Sequence, residues 1–251
     1  MWIWILTALG CASSPSNDAT APKPEADATP AAPTVAEAKV DLAAGSAWGA
    51  VFWQGEKALR KGGSDLLLGP KGTATAVPGS ATETCGVPET GAPEHAVLAL
   101  PAGVTPGKAE EAPANPAGLV ERAAWRLDEL LPPRDAYTPA ASSPDPALQR
   151  GVRVASVVKT RRRGAPPVLV ASGTRDCTSV VAILNADAAK ALAVDRLPKS
   201  CDPLAVLPPA DYNGDGVRET AVYSATRVLL YRLEEGHGSI GLVRIGDWSC
   251  P

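Results

Sequence analysis

The densest set of chemically useful groups in the chain lies in residues 211–219, DYNGDGVRE. Side-chain oxygens recur at alternate positions, Asp211, Asn213, Asp215 and then Glu219. The alternate position without one, Val217, can offer its backbone carbonyl instead. Gly216 follows the third of these groups, where the chain must turn sharply. Hard cations such as calcium take six to eight oxygen ligands at roughly 2.3–2.6 Å, and a short loop with this spacing can wrap one. Three carboxyl groups crowded into one loop repel each other unless a cation lies between them. The competing reading is a polar Asx/Gly turn that holds no ion.

The first half of this loop reads like an EF-hand, with Asp, Asn and Asp at odd positions and glycine at the sixth. The second half departs from it. Position twelve is Val222 rather than a bidentate glutamate, and position eight, normally aliphatic, is Arg218. After Glu219 comes TAVYSATRVLLYRL, whose β-branched and aromatic residues read as strand, turn, strand. A ninth-position acid running straight into a strand resembles the FG-GAP repeats, the calcium-loop blades of integrin-type β-propellers. That resemblance implies Ca2+ ligated by Asp211, Asn213, Asp215, the Val217 carbonyl and Glu219, inside a blade-like unit.

The elements around this loop belong to an exported chain. A net charge of −3 over 251 residues makes no electrostatic case for nucleic acid. Aromatic residues make up only 4%, and the abundance of Ala, Pro and Gly speaks against one large core. The apolar leader MWIWILTALGC is too short to span a bilayer as a mature helix. Its residues 7–11, TALGC, resemble a bacterial lipobox, although the leader carries no Lys or Arg. The resemblance implies a signal peptide over 1–10, cleavage before Cys11, a thioether-linked diacylglycerol on the Cys11 sulfur and usually a further acyl chain on its amine. Two or three chains anchor stably where one is marginal. An ordinary cleaved secretion signal is the alternative. By the same resemblance Ala12, standing where enteric lipoproteins retained at the inner membrane have Asp, points to the outer membrane.

Setting Cys11 aside leaves Cys85, Cys177, Cys201 and Cys250. An even number in an exported chain reads as two disulfides, with three possible pairings. No Cys-x-x-Cys pair occurs, so zinc and thioredoxin-like chemistry have no support.

Residues 11–39 form a Pro/Ala-rich tether with too little apolar bulk to offset its ordering entropy. The rest, 40–251, reads as one β-rich domain. Its first part, to about residue 107, holds short strands broken by Gly and Pro, with HAVLAL at 95–100 the best of them. Residues 115–131 predict a helix capped by Asn115 and stopped by Pro132 and Pro133, with Leu119, Ala123, Leu127 and Leu130 on one face. Beyond it, Ser172-Gly-Thr-Arg175 matches Ser224-Ala-Thr-Arg227 at a spacing of 52, and Val180 matches Val228 at 48. Leu192, Val194, Arg196 and Leu197 then match Ile240, Leu242, Arg244 and Ile245.

Two related units follow, 153–197 and 205–245, each four short strands in a meander of blade size. The first unit has lost the ion: Lys159, Arg161 and Arg163 stand where the loop's ligands stand, and Pro167 replaces Glu219. The expected fold is mainly β, built from β-meander units resembling FG-GAP propeller blades. It is an incomplete propeller or a sandwich-like assembly with one packed α-helix.

In such a meander successive turns alternate between the two ends of the sheet. The turn carrying Cys177 and the connector carrying Cys201 then share the end opposite the metal loop, where a bridge is allowed. Cys250 pairs with Cys85 by elimination.

The sequence predicts no enzyme. Only two histidines occur, His95 opening a strand and His237 in a tight GHG turn, and no catalytic motif is present. The expected function is a membrane-anchored envelope lipoprotein with a calcium-stabilised binding or interaction module. It meets the membrane through its lipid, and the sequence names no particular envelope or surface protein as its partner. The alternatives are a purely structural envelope lipoprotein and an unrecognised hydrolase.

Overall fold

The computed structural model describes residues 35–54, 57–68, 74–76, 95–105, 107, 118–133, 151–160, 166–236 and 239–250. The leader, Cys11, Cys85, Asn115, residues 161–165 and His237 lie outside them.

The chain enters as a strap. β1 (Ala36–Glu37) and β2 (Lys39–Val40) come at the end of the stretch whose composition reads as tether. They are strands because two distant edge strands supply backbone partners, which local composition does not reveal. Next come β3 (Gly49–Gln54), β4 (Lys57–Gly62), β5 (Leu66–Leu68), β6 (Ala74–Ala76) and β7 (His95–Ala99). They form one five-stranded sheet in the order β4-β3-β7-β5-β6. His95 opens β7 and stacks on Trp53 of β3, ring centroids 4.9 Å apart.

Helix α1 (Leu119–Leu130) is the one helix among the described residues. Gly118, in the left-handed region at φ 82°, occupies its N-cap position without a side-chain cap. The helix thus begins later than the 115–131 span suggests. The predicted face is the buried one: Leu119, Ala123, Leu127 and Leu130 pack inward together with Ala124. Trp125 and Val120 are exposed.

β8 (Arg153–Thr160), β9 (Val168–Arg175), β10 (Thr178–Asn185) and β11 (Ala191–Pro198) follow as an antiparallel meander. A second meander contains β12 (Ala205–Val206), β13 (Arg218–Tyr223), β14 (Arg227–Gly236) and β15 (Ser239–Ser249). The strap adds a fifth, parallel strand to each: β1 lies on β11 and β2 on β15.

Helix and sheets stack in layers, and the sheets remain open. α1 covers one face of the first meander through Leu119, Leu127, Leu169 and Ala182. The other face meets the second meander through Val170, Ile183, Val222 and Tyr231. The second meander's far face meets the N-terminal sheet through Phe52, Leu98, Leu230 and Ile245. This layering explains why β9 is buried at every position and shows no polar alternation: both of its faces are covered.

The two meanders correspond at a spacing different from the one the sequence suggests. Arg175 pairs with Thr178 across one hairpin, and the Ser224 amide donates to the Arg227 carbonyl across the other. Position 175 therefore corresponds to 224, a spacing of 49. The shared S-x-T-R ends at the turn in the first meander and spans it in the second. Side-chain direction agrees with the hairpins. Val180 faces the preceding layer, α1, whereas Val228 faces the following one; Leu229 is the residue that points back. A one-residue slip exchanges the faces of a strand, so a match of small aliphatic residues cannot set register alone. In the fourth strands the pairing of Ala182 with Val194 and of Tyr231 with Arg244 sets the spacing at 50 rather than the 48 the sequence suggests, past a bulge at Leu230. The even difference leaves the faces alike, with Val194 and Leu242 facing backward and Leu197 and Ile245 forward.

Candidate metal centre

The acidic loop joins β12 to β13, and its ends are closed by a two-way backbone bridge between Ala210 and Glu219, with N···O distances of 3.0 and 2.7 Å. Within it the polar side chains fold inward onto the loop's own amides. Asp211 accepts from the N–H groups of Gly214 (2.7 Å) and Gly216 (3.0 Å). Asn213 Oδ1 accepts from the Asp215 amide at 3.1 Å, and its Nδ2 donates to Asp215 Oδ2 at 2.8 Å. Asp215 Oδ1 accepts from the Val217 amide at 2.8 Å. Gly214 (φ 78°) and Gly216 (φ 87°) take the left-handed turns that this coiling requires.

Two residues that sequence reasoning passed over brace the loop. Tyr212 is fully buried among the residues packed between the second meander and the N-terminal sheet, and its phenol donates to the Pro208 carbonyl. Gly107 donates its N–H to the Asp211 carbonyl at 3.1 Å. A Cβ at position 107 would lie 2.1 Å from that oxygen, so only glycine permits the approach. Tyr212 was findable as an aromatic inside a polar loop; Gly107 had no local signal.

Glu219 is the distinctive ligand candidate. It is only 1% exposed, and its Oε2 accepts from the Tyr212 amide at 2.9 Å. Burial pushes its carboxyl up to about 8; the Tyr212 amide opposes this rise and the charges of Asp215 and Asp211 add to it. Among the described residues no Lys or Arg pairs with it. Its neighbour Arg218 turns to the other face of the strand, where it binds Glu235 at 2.6 Å and Thr160 of the first meander at 3.2 Å.

The five predicted ligands therefore share one closed loop. Among the described residues no group of three or more His, Cys, Asp or Glu side chains converges as a ready-made cage, and here the loop's carboxylates engage amides. The donor chemistry fits a hard cation: the set is all oxygen, and it includes a buried carboxylate without a cationic partner among the described residues.

The opposite end of the meanders carries the cysteines. Cys177, in the β9–β10 turn, is disulfide-bonded to Cys201, in the connector after β11. Cys250 is fully buried and also disulfide-bonded; Cys85 and Cys11 lie outside the described residues.

Compared with known proteins, the chain matches no family model, no curated protein and no solved structure.

Proposed function

We propose that this chain is a lipid-anchored envelope protein that presents a calcium-stabilised, β-rich binding module. The observation that supports it most is Glu219, a carboxylate buried at the base of an all-oxygen loop with no cationic side chain against it among the described residues. Asp211, Asn213, Asp215, the Val217 carbonyl and Glu219 are the groups that would hold the ion. Bound there, calcium supplies the positive charge that these carboxylates otherwise lack. Tyr212 and Gly107 brace the start of the loop, and the bridge between Ala210 and Glu219 ties its ends to the second meander. Cys11 is the proposed lipid attachment point, with the Pro/Ala-rich tether as spacer to an outer-membrane surface, and the module acts by binding rather than catalysis.

Two measurements test the reading. The melting temperature of the full chain is compared with calcium and with chelator. An ion that binds the folded state alone adds about 2.7 kcal/mol at a hundredfold excess over its dissociation constant. Equal melting in both, repeated in Asp215→Ala, overturns the metal site. Cell fractionation after labelling with a radioactive fatty acid tests the anchor. Label in the membrane fraction that disappears in Cys11→Ser supports it, and a soluble, unlabelled wild-type chain overturns it.

A further inference from the structure

A pocket of about 370 Å³ opens between the two meanders at their disulfide end, opposite the metal loop. Its origin lies in one difference between corresponding hairpins. In the first meander the corner is occupied by Arg175, whose guanidinium reaches the Asp128 carboxylate and the Pro132 carbonyl at the end of α1. Arg175 is 6% exposed there. The corresponding residue of the second meander is Ser224, which lines the pocket. A short side chain stands where a long one plugs the neighbouring unit, and the corner is left open.

The walls carry groups free to meet a ligand. From the connector come Lys199, Ser200 and Asp202; from the second hairpin comes Arg227. Arg227 is held by Asp247 through Nε at 3.1 Å and Nη2 at 2.9 Å, and among the described residues its Nη1 has no partner. Lys199 likewise has no ion-pair partner among the described residues, and its backbone is in the left-handed region at φ 61°. Thr226, whose hydroxyl lies 3.4 Å from that of Ser224, and Ser249 also line it.

The connector is rigidly placed. Cys201 is bonded to Cys177, the Ser200 amide donates to the Cys177 carbonyl at 2.9 Å, and Ser179 Oγ donates to the Ser200 carbonyl at 3.1 Å. Small-molecule sites commonly occupy about 300–1,000 Å³ with a few fixed polar groups, and this pocket is at the small end of that range.

We propose that this pocket binds a small anionic sugar, with the ligand's carboxylate or phosphate taken by Lys199 and Arg227. Asp202 and the surrounding hydroxyls receive its hydroxyl groups. The two cationic residues of the lining, one from the connector and one from the second hairpin, select the charge, since charge-assisted hydrogen bonds are the strong ones. The short, hydroxyl-rich lining suits a polyol over an apolar ligand. The inference rests on the reading of the domain as a binding module, and names the ligand class and the place.

The test is isothermal titration calorimetry of the full chain with D-glucuronate, glucose 6-phosphate, D-glucose and inorganic phosphate. At least one charged sugar is expected to bind about tenfold or more tightly than glucose, the size of one charge-assisted hydrogen bond. Whichever of the two binds more tightly identifies the anionic group. Ser224→Arg, which refills the corner as Arg175 does next door, should abolish binding, and Lys199→Ala should weaken it by a similar tenfold factor. The proposal is overturned if neither charged sugar binds, if glucose binds as tightly as the tighter charged sugar, or if the sugar phosphate is the tighter of the two and inorganic phosphate matches it. Unchanged binding in both variants overturns it too. Melting with calcium, measured on the same samples, reports separately on the metal loop. A chain that responds to calcium and binds no sugar loses this site and keeps the other.

Discussion

The phenol of Tyr231, on the second meander, donates a 2.9 Å hydrogen bond to the carboxylate of Asp195, on the first. Tyr231 is fully buried, and Arg244 Nε lies 3.5 Å from the same carboxylate. Burial pushes the Asp195 carboxyl above its usual range, against the pull of Arg244 and Tyr231; Asp247 and Glu37 add to the rise. Such a group holds its proton more tightly in the folded chain. Its contribution to stability is complete below the unfolded value, near 3.8, and is lost as the pH climbs through the folded one. Denaturant unfolding across this range should show a fall in stability that flattens in Asp195→Asn. Tyr231→Phe should cost about 1–3 kcal/mol and steepen the fall, because the carboxylate then loses a donor.

Glu219→Gln should act in opposite directions with and without the ion. Without calcium at neutral pH, Glu219, its carboxyl pushed up to about 8, must take up a proton on folding; the neutral isostere removes that cost and raises the melting temperature. With calcium, it loses a ligand and most of the calcium-dependent gain. Calorimetry under both conditions checks this; a variant that falls below wild type without calcium and gains as much from it contradicts the assignment.

Gly107→Ala places a methyl group against the Asp211 carbonyl and must displace the start of the loop. The expected outcome is a weaker calcium response, with little change in the far-ultraviolet circular dichroism of the β domain. A calcium titration indistinguishable from wild type would show that this contact does not hold the loop.

Non-reducing peptide mapping should yield a Cys177–Cys201 peptide, and a second joining Cys250 to Cys85. The first bridge spans a sequence separation of 24. In the chain-entropy model, losing it in the Cys177→Ser, Cys201→Ser double variant costs about 3–4 kcal/mol. A Cys201–Cys250 peptide would contradict the connectivity.

The meanders and the closed acidic loop at 211–219 were legible because their signals are local. Turn residues sit at fixed offsets, and the strand ends that carry Cys177 and Cys201 follow from counting strands. The register between the units was not legible. Covering both faces of β9 and β10 erases the polar alternation that would have revealed which way Val180 points. The strap escaped notice because Ala36, Glu37 and Lys39 have no strand-like composition, and their partners lie on β11 and β15, far along the chain. The pocket escaped for a related reason: Ser224 is informative only beside Arg175, and the S-x-T-R match pairs Arg175 with Arg227 instead.

The strap gives the domain a mechanical order of failure. Any pull passed along the chain from residue 34 arrives first at β1 and β2. Their hold includes hydrogen bonds from the Ala38 amide to Val194 and the Asp41 amide to Arg244, and the Lys39–Glu234 ion pair. Because β1 and β2 run parallel to β11 and β15, tension along the strands loads these bonds together in shear, whereas tension across the sheet peels them singly. The direction from which load reaches residue 34 therefore sets whether the strap acts as a clasp or as a zip.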